Sequence, residues 1–267
     1  MGPANDVTTP AWGVPRVLVH VAIGLAAGIL SGMFGVGGGT VIVPLLVLLL
    51  GYPQRLATGT SLAAIVPTAT VGVISYGVSG DVGWVQALIL AAGAVVGAQV
   101  GSWLLPRVPV RALQFGFAAF LVAVIVSLFF IIPTRGEPFE LTWWAVLGLV
   151  GLGLVTGVLS GLLGVGGGIV VVPALMLLFG TSDLIARGTS LLMMIPTAIS
   201  GTIGNIRRGN VSLLGAAIVG LSACTTTALG AWIAKSIDPF TGNVVFAVFL
   251  TFIGAQLVWR AARRRSK

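Results

Sequence analysis

Two glycine clusters are the residues best placed to do chemistry. Gly35-Val36-Gly37-Gly38-Gly39 and Gly164-Val165-Gly166-Gly167-Gly168 each interrupt a long apolar run. Glycine lacks a side chain, so it permits sharp turns and close backbone approach. Inside a bilayer, backbone groups freed by such a break are tolerated only within protein or beside a wet cavity. Helices restarting near Thr40 and Ile169 would aim unbonded N–H groups and positive dipole ends into that cavity. Such ends attract anions. A second shared motif, Gly-Thr-Ser-Leu at 59–62 and 188–191, supplies hydroxyls that donate to an oxyanion without adding a permanent charge. The predicted substrate-binding set is therefore Gly35, Gly37, Gly38, Gly39, Thr40, Thr60, Ser61, Gly164, Gly166, Gly167, Gly168, Thr189 and Ser190, joined by Arg187 before the second Gly-Thr-Ser. Competing readings exist for each group. Hydroxyls in helices also bond carbonyls of their own helix, and Arg187 equally suits a plain loop. Isolated glycines such as Gly93, Gly97 and Gly101 read as helix-packing positions. A phosphate-binding P-loop is excluded, because no Lys-Ser or Lys-Thr follows the glycines.

Catalysis finds little support. Ser31 and Ser160 each precede a glycine, but His20 is the one histidine in the chain, and no visible group would orient a Ser–His pair. No metal-binding cluster and no cofactor motif occurs, so neither metal nor cofactor is expected and the chain does not read as an enzyme. An intramembrane ionisable residue is a functional hypothesis by default, yet His20 has Leu149 as its counterpart in the other half and suits a core or headgroup position equally well. Gln99 and Asn205 are further polar candidates. Thr68 and Thr197, after prolines, line the cavity or satisfy carbonyls freed by a kink. No Asp or Glu falls clearly inside an apolar run. Anion export could then run on membrane potential alone, which favours expelling one negative charge by about 2.3 kcal/mol per 100 mV.

The elements that must hold these groups are membrane helices. Only 7% of the 267 residues are charged, 57% are hydrophobic and the mean hydropathy is +1.11, whereas soluble domains carry about 25% charged residues. Such a chain cannot clothe a water-facing surface. The net charge of +8 sits in short loops and at the C-terminal end, which sets span orientation and does not suggest nucleic-acid binding. The lone Cys224 lies in an apolar run and reads as a packing residue. No cleavable signal peptide is expected in the first fourteen residues. Apolar runs cover 16–51, 57–78, 83–105, 110–132, 142–180, 186–206, 211–234 and 241–259. A full span takes about 20 residues, so each long run, broken by its glycines, forms either a re-entrant hairpin or two short helices.

The chain repeats itself. Ser31 to Gly39 matches Ser160 to Gly168, and the register continues without a gap: Pro44 meets Pro173, Gly51 meets Gly180, Gly59 to Leu62 meets Gly188 to Leu191, Pro67-Thr68-Ala69 meets Pro196-Thr197-Ala198, and Trp103 meets Trp232. A polar linker at 133–141 separates an N-terminal repeat, 1–132, from a C-terminal repeat, 142–267, with its basic tail. Loop charges put Arg16, Arg55, Arg107, Arg111, Arg207, Arg208 and the C-terminus inside; Asp81, Glu137, Glu140, Asp183, Arg187, Lys235 and Asp238 fall outside. The first broken run thus starts and ends inside, the second outside. The expected fold is an all-α membrane protein of two inverted-topology repeats, each a glycine-broken segment plus three full spans. Transporters use that architecture, with the site at the paired Gly/Pro-interrupted segments.

On Ser31 to Gly39 with Pro44, Gly59 to Leu62, Ser160 to Gly168 with Pro173, and Gly188 to Leu191, the chain resembles the TauE/SafE family of membrane proteins, described as sulfite or organosulfonate exporters. The resemblance covers nearly all of 16–259. It implies a secondary transporter moving sulfite, an organosulfonate or another small organic anion outward across the inner membrane, and it carries over no catalytic residues. An anion channel using the same cavity is the nearest alternative, and a receptor is remote because the loops leave no soluble domain. The expected partners are a small anion and the lipid bilayer, with homo-oligomerisation left open. Both termini are expected in the cytoplasm.

Overall fold

A computed structural model describes residues 13–104 and 142–263, together with positions 122, 125 and 126. The linker at 133–141 and nearly all of the apolar run at 110–132 lie outside the described residues. Within them the chain is helical and contains no strand. The helices are α1 (Val14–Phe34), α2 (Gly39–Leu50), α3 (Gln54–Gly77), α4 (Trp84–Leu104), α5 (Trp143–Leu163), α6 (Gly168–Phe179), α7 (Asp183–Ile206), α8 (Leu213–Ser236) and α9 (Pro239–Arg263).

Among the described residues, α1, α3, α4, α5, α7 and α8 are long and apolar enough to cross a membrane. The outward faces are apolar too: Trp84, Trp103, Trp143, Trp144 and Trp232 are exposed beside Leu, Ile and Val. Lipid is the solvent such a surface requires.

Each glycine cluster ends one helix and starts another. Gly35 and Gly164 stop α1 and α5 in the left-handed conformation, at φ +69° and +72°, each returning its N–H to a serine carbonyl, Ser31 and Ser160. The chain then doubles back. At the far end of α2 the Tyr52 hydroxyl lies 3.1 Å from His20 Nε2, and Arg16 reaches the Leu50 carbonyl, both near the start of α1. In the second half, the Phe179 ring ending α6 packs 3.1 Å from where a Gly148 Cβ would stand, near the start of α5. Both broken segments are therefore hairpins. The first arm has 21 residues, about 31 Å of helix, and the second 12, about 18 Å.

The halves interlock crosswise. α1 packs on α8, and α4 on α5, through rows of small residues. A Cβ at Gly93, Gly97 or Gly101 would strike the carbonyl of Val150, Leu154 or Val158, which is the close helix approach predicted for that row. Gly24, Gly28 and Gly32 meet Val219, Ala223 and Thr227 in the same way. These registers rise together, so both pairs run parallel. In contrast α3 and α7 run antiparallel at the centre, Gly72 against Leu191 and Leu62 against Gly201.

Candidate functional site

The two glycine breaks meet in the middle of the molecule. A Cβ on Gly39 would stand 2.9 Å from the Gly164 carbonyl, and one on Gly168 would stand 2.6 Å from the Gly35 carbonyl. Gly37 and Gly166, at φ +68° and +82°, both face the methyl of Met194 and the side chain of Ile65, residues at matching positions of the two halves. The position before each Gly-Thr-Ser packs on the opposite break: Arg187 on Gly35, and Thr58 on Gly164.

From this junction α2 and α6 begin. Their N-cap residues are Gly38 and Gly167, both left-handed, and neither helix receives a side-chain cap. Helical bonding starts at Val41 and Val170, which donate to Gly38 and Gly167. The N–H groups of Gly39, Thr40, Gly168 and Ile169 lie ahead of it, so two positive helix ends converge on one place.

The hydroxyls of the same motifs divide into two kinds. Thr60 and Thr189 are engaged in joining the halves: Thr60 accepts from the Ser212 N–H at 3.0 Å, and Thr189 from the Gly83 N–H at 2.9 Å. Ser31, Thr40, Ser61, Ser160 and Ser190 are buried, and their hydroxyls have no hydrogen-bond partner among the described residues. All five belong to the break motifs or the Gly-Thr-Ser motifs. Ser190 Oγ is 3.1 Å from where a Gly168 Cβ would stand, and Ser160 lines a small cavity with Val165, Gly167 and Ile169. A buried unsatisfied hydroxyl costs about 1–3 kcal/mol, so five within these short motifs are a concentration of unused donors.

Arg187 is the charged group of the site. Its side chain is 2% exposed, donates from Nη1 to the Met33 carbonyl at 2.8 Å, and meets Asp183 Oδ2 at 3.4 Å. Here the structure corrects the reading of Asp183 as a loop residue: it opens α7 and is 1% exposed. Its signal in the sequence was Ser182, whose hydroxyl caps α7 by accepting from Ile185 N–H, with an acidic residue following in the first turn. Ser31 and Ser160 were also outside the predicted binding set. Both sit one turn before the break, and Ser160 lines a small cavity with the opening residues of α6.

Other predicted groups lie elsewhere. His20 is fully buried, between the Arg16 carbonyl at 2.8 Å and Tyr52, and braces the open end of the first hairpin. Because the carbonyl can only accept, the ring nitrogen facing it, Nδ1, carries a proton, and Nε2 faces the Tyr52 hydroxyl. Thr68 and Thr197 donate to the carbonyls four residues back, Ala64 and Met193. Gln99 Nε2 donates to Ser200 Oγ at 2.6 Å on the α4–α7 face, and Asn205 Nδ2 donates to the Gly201 carbonyl.

A family model described as "Sulfite exporter TauE/SafE" matches residues 3–128 and 149–267. Two Bacillus subtilis proteins named "Probable membrane transporter protein" are similar: YunE is 28% identical over 91% of this chain and 97% of its own length, and YdhB is 32% identical over 84% and 92%. "Sulfite exporter TauE/SafE family protein 3" of Arabidopsis thaliana is 29% identical over 44% of this chain and 24% of that protein. No solved structure matches significantly. With both glycine motifs inside the matched segments and a membrane-helix fold around them, the chain belongs to the TauE/SafE family of membrane transporters.

Proposed function

We propose that the chain carries a small anion, sulfite or an organosulfonate, outward across the inner membrane by alternating access, and that the anion binds where the two glycine breaks meet. The observation that carries this reading is the set of five buried hydroxyls without a partner among the described residues, three of which, Thr40, Ser160 and Ser190, stand at the start of two helices with no side-chain cap. Free N–H groups and hydroxyls donate to oxyanions, and converging positive helix ends favour negative charge there. The names of the family and of the Arabidopsis relative supply sulfite as the first substrate to try.

The same reading takes the halves as inverted repeats with cytoplasmic termini. Supporting it, the end of α1 meets the start of α7 through Gly35 and Arg187, while the end of α5 meets the start of α3 through Gly164 and Thr58, and α3 and α7 are antiparallel. Loops assigned to one side also touch: Asp81 with Lys235 at 3.8 Å, and Ser102 with Arg208 at 3.2 Å. A carrier with one site between two such units exposes it to either side by rocking one against the other.

The test is efflux of radiolabelled sulfite from proteoliposomes, with taurine, sulfoacetate and sulfate as competitors. Saturable flux that shows counterflow and is lost in Gly37→Leu and Gly166→Leu, with both proteins still inserted, is the expected result. Unsaturable flux would favour the channel. Undiminished flux in both variants would remove the proposed site.

A further inference from the structure

Each Gly-Thr-Ser motif lies under a loop from the other half of the chain. Residues 78–83 join α3 to α4, and residues 207–212 join α7 to α8. Both loops turn at a left-handed glycine, Gly80 at φ +76° and Gly209 at φ +69°, with nothing within 4 Å of a built Cβ. Both close back on their own helix: Asp81 N–H donates to the Tyr76 carbonyl at 3.0 Å, and Asn210 N–H to the Asn205 carbonyl at 2.9 Å. Their far ends then cross to the opposite half. A Cβ on Gly188 would strike the Asp81 carbonyl, and one on Gly59 would strike the Asn210 carbonyl. One residue on, Thr189 accepts from the Gly83 N–H at 2.9 Å, and Thr60 from the Ser212 N–H at 3.0 Å. The next residues, Ser190 and Ser61, are fully buried and have no hydrogen-bond partner among the described residues.

We propose that these loops are the two lids of the site, 78–83 closing the outer approach to Ser190 and 207–212 the inner approach to Ser61, and that Thr189 and Thr60 are their latches. This rests on the anion site and the orientation proposed above. The motif then has one task per residue. Its glycine lets the lid backbone lie close, its threonine holds the lid, and its serine faces the anion. A latch must release as well as hold. One neutral hydrogen bond exchanged for water has a small net value, and the outer parts of both loops, Ser79 with Gly80 and Arg208 with Gly209, are already exposed. Each latch joins one half to the other, so rocking the halves breaks one latch and keeps the other. With both latches closed, the structure is the occluded state between the two open ones.

The lids are alike in backbone and differ in their second hold. Asp81 of the outer lid lies 3.8 Å from the Lys235 ammonium of α8, which also donates to the Ser75 carbonyl and the Ser79 hydroxyl. On the inner lid, Ser212 Oγ lies 3.5 Å from the Tyr52 hydroxyl at the base of the first hairpin, and Arg208 donates to the Ser102 carbonyl at 3.2 Å. These holds also run between the halves, so they part with the latch beside them.

The experiment measures labelling by a membrane-impermeant thiol reagent in oriented vesicles. In a Cys224→Ser background, Ser190→Cys and Ser61→Cys report access under each lid. Adding Thr189→Val is expected to speed labelling of Ser190→Cys roughly three- to tenfold from one face, the effect of losing one hydrogen bond, and to leave Ser61→Cys unchanged. Thr60→Val is expected to do the converse, from the opposite face. Thr189→Ser and Thr60→Ser keep the accepting oxygen and should return both rates to those of the starting proteins. Unchanged rates in both valine variants overturn the proposal. So does equal acceleration at both positions, which is general loosening, and so does labelling of both from one face. A second measurement locks the outer lid. A Cβ on Gly83 would stand 3.0 Å from Thr189 Oγ1, so Gly83→Cys with Thr189→Cys brings two sulfurs within bonding reach. Oxidation should stop methanesulfonate flux and reduction should restore it; this probe is used because sulfite itself cleaves disulfides. Undiminished flux in the fully cross-linked protein overturns the lids. Side-selective labelling in a protein that carries neither sulfite nor methanesulfonate supports the lids and overturns the anion reading, so the two fail separately.

Discussion

At the residue scale, two matched pairs of hydroxyls separate a structural role from the binding role proposed above. Thr60 and Thr189 stand beside Ser61 and Ser190 in the same motif, yet only the threonines receive backbone N–H groups from the opposite half. Removing them strands buried donors, at about 1–3 kcal/mol each. Thr60→Ala and Thr189→Ala should therefore lower thermal stability in detergent. Ser61→Ala and Ser190→Ala remove hydroxyls that have no hydrogen-bond partner among the described residues. Their melting temperatures should match or exceed wild type while sulfite flux falls several-fold. Parallel melting curves and flux assays on the four proteins check both halves of the expectation. Adjacent residues of one motif were legible in sequence as a candidate site. Their different partners were not, because the Gly83 and Ser212 N–H groups arrive from the other half of the chain.

At the element scale, small residues set how closely helices approach. Gly97 is buried against the Leu154 carbonyl on the α4–α5 contact, while Gly151 faces outward with nothing within 4 Å of a built Cβ. Gly97→Leu should push the pair apart and destabilise the protein by about 1–3 kcal/mol, as overpacking does, whereas Gly151→Leu should leave its melting point unchanged. The packing role of the Gly93, Gly97 and Gly101 row followed from its four-residue spacing, which keeps one face of a helix bare. The hairpins were foreseen only as one of two options. A run of apolar residues broken by glycine says that a helix stops; whether the next one turns back depends on Tyr52 meeting His20 and Phe179 meeting Gly148.

At the scale of the whole molecule, the proposed inverted repeats make a directional prediction. Gln54 is exposed at the start of α3, just past the first hairpin, and Trp143 is exposed at the start of the second. In a Cys224→Ser background, Gln54→Cys and Trp143→Cys should react with a membrane-impermeant thiol reagent from opposite faces of oriented vesicles. Labelling of both from one face would contradict the inverted arrangement.

The sequence by itself determined the class of the protein and the parts of its candidate site. Composition dictates a lipid environment, because so few charges cannot face water. The doubled motifs locate two breaks, because only glycine tolerates the left-handed turns at Gly35 and Gly164. Both follow from local chemistry, which neighbouring residues carry wherever they are placed. Tertiary structure decided what those parts meet. It set break against break, separated the unpartnered serines from the joining threonines, and buried Asp183 beside Arg187 although its position in the chain reads as a loop. Those outcomes depend on surfaces more than a hundred residues apart in the chain, and no local pattern encodes which of them will touch.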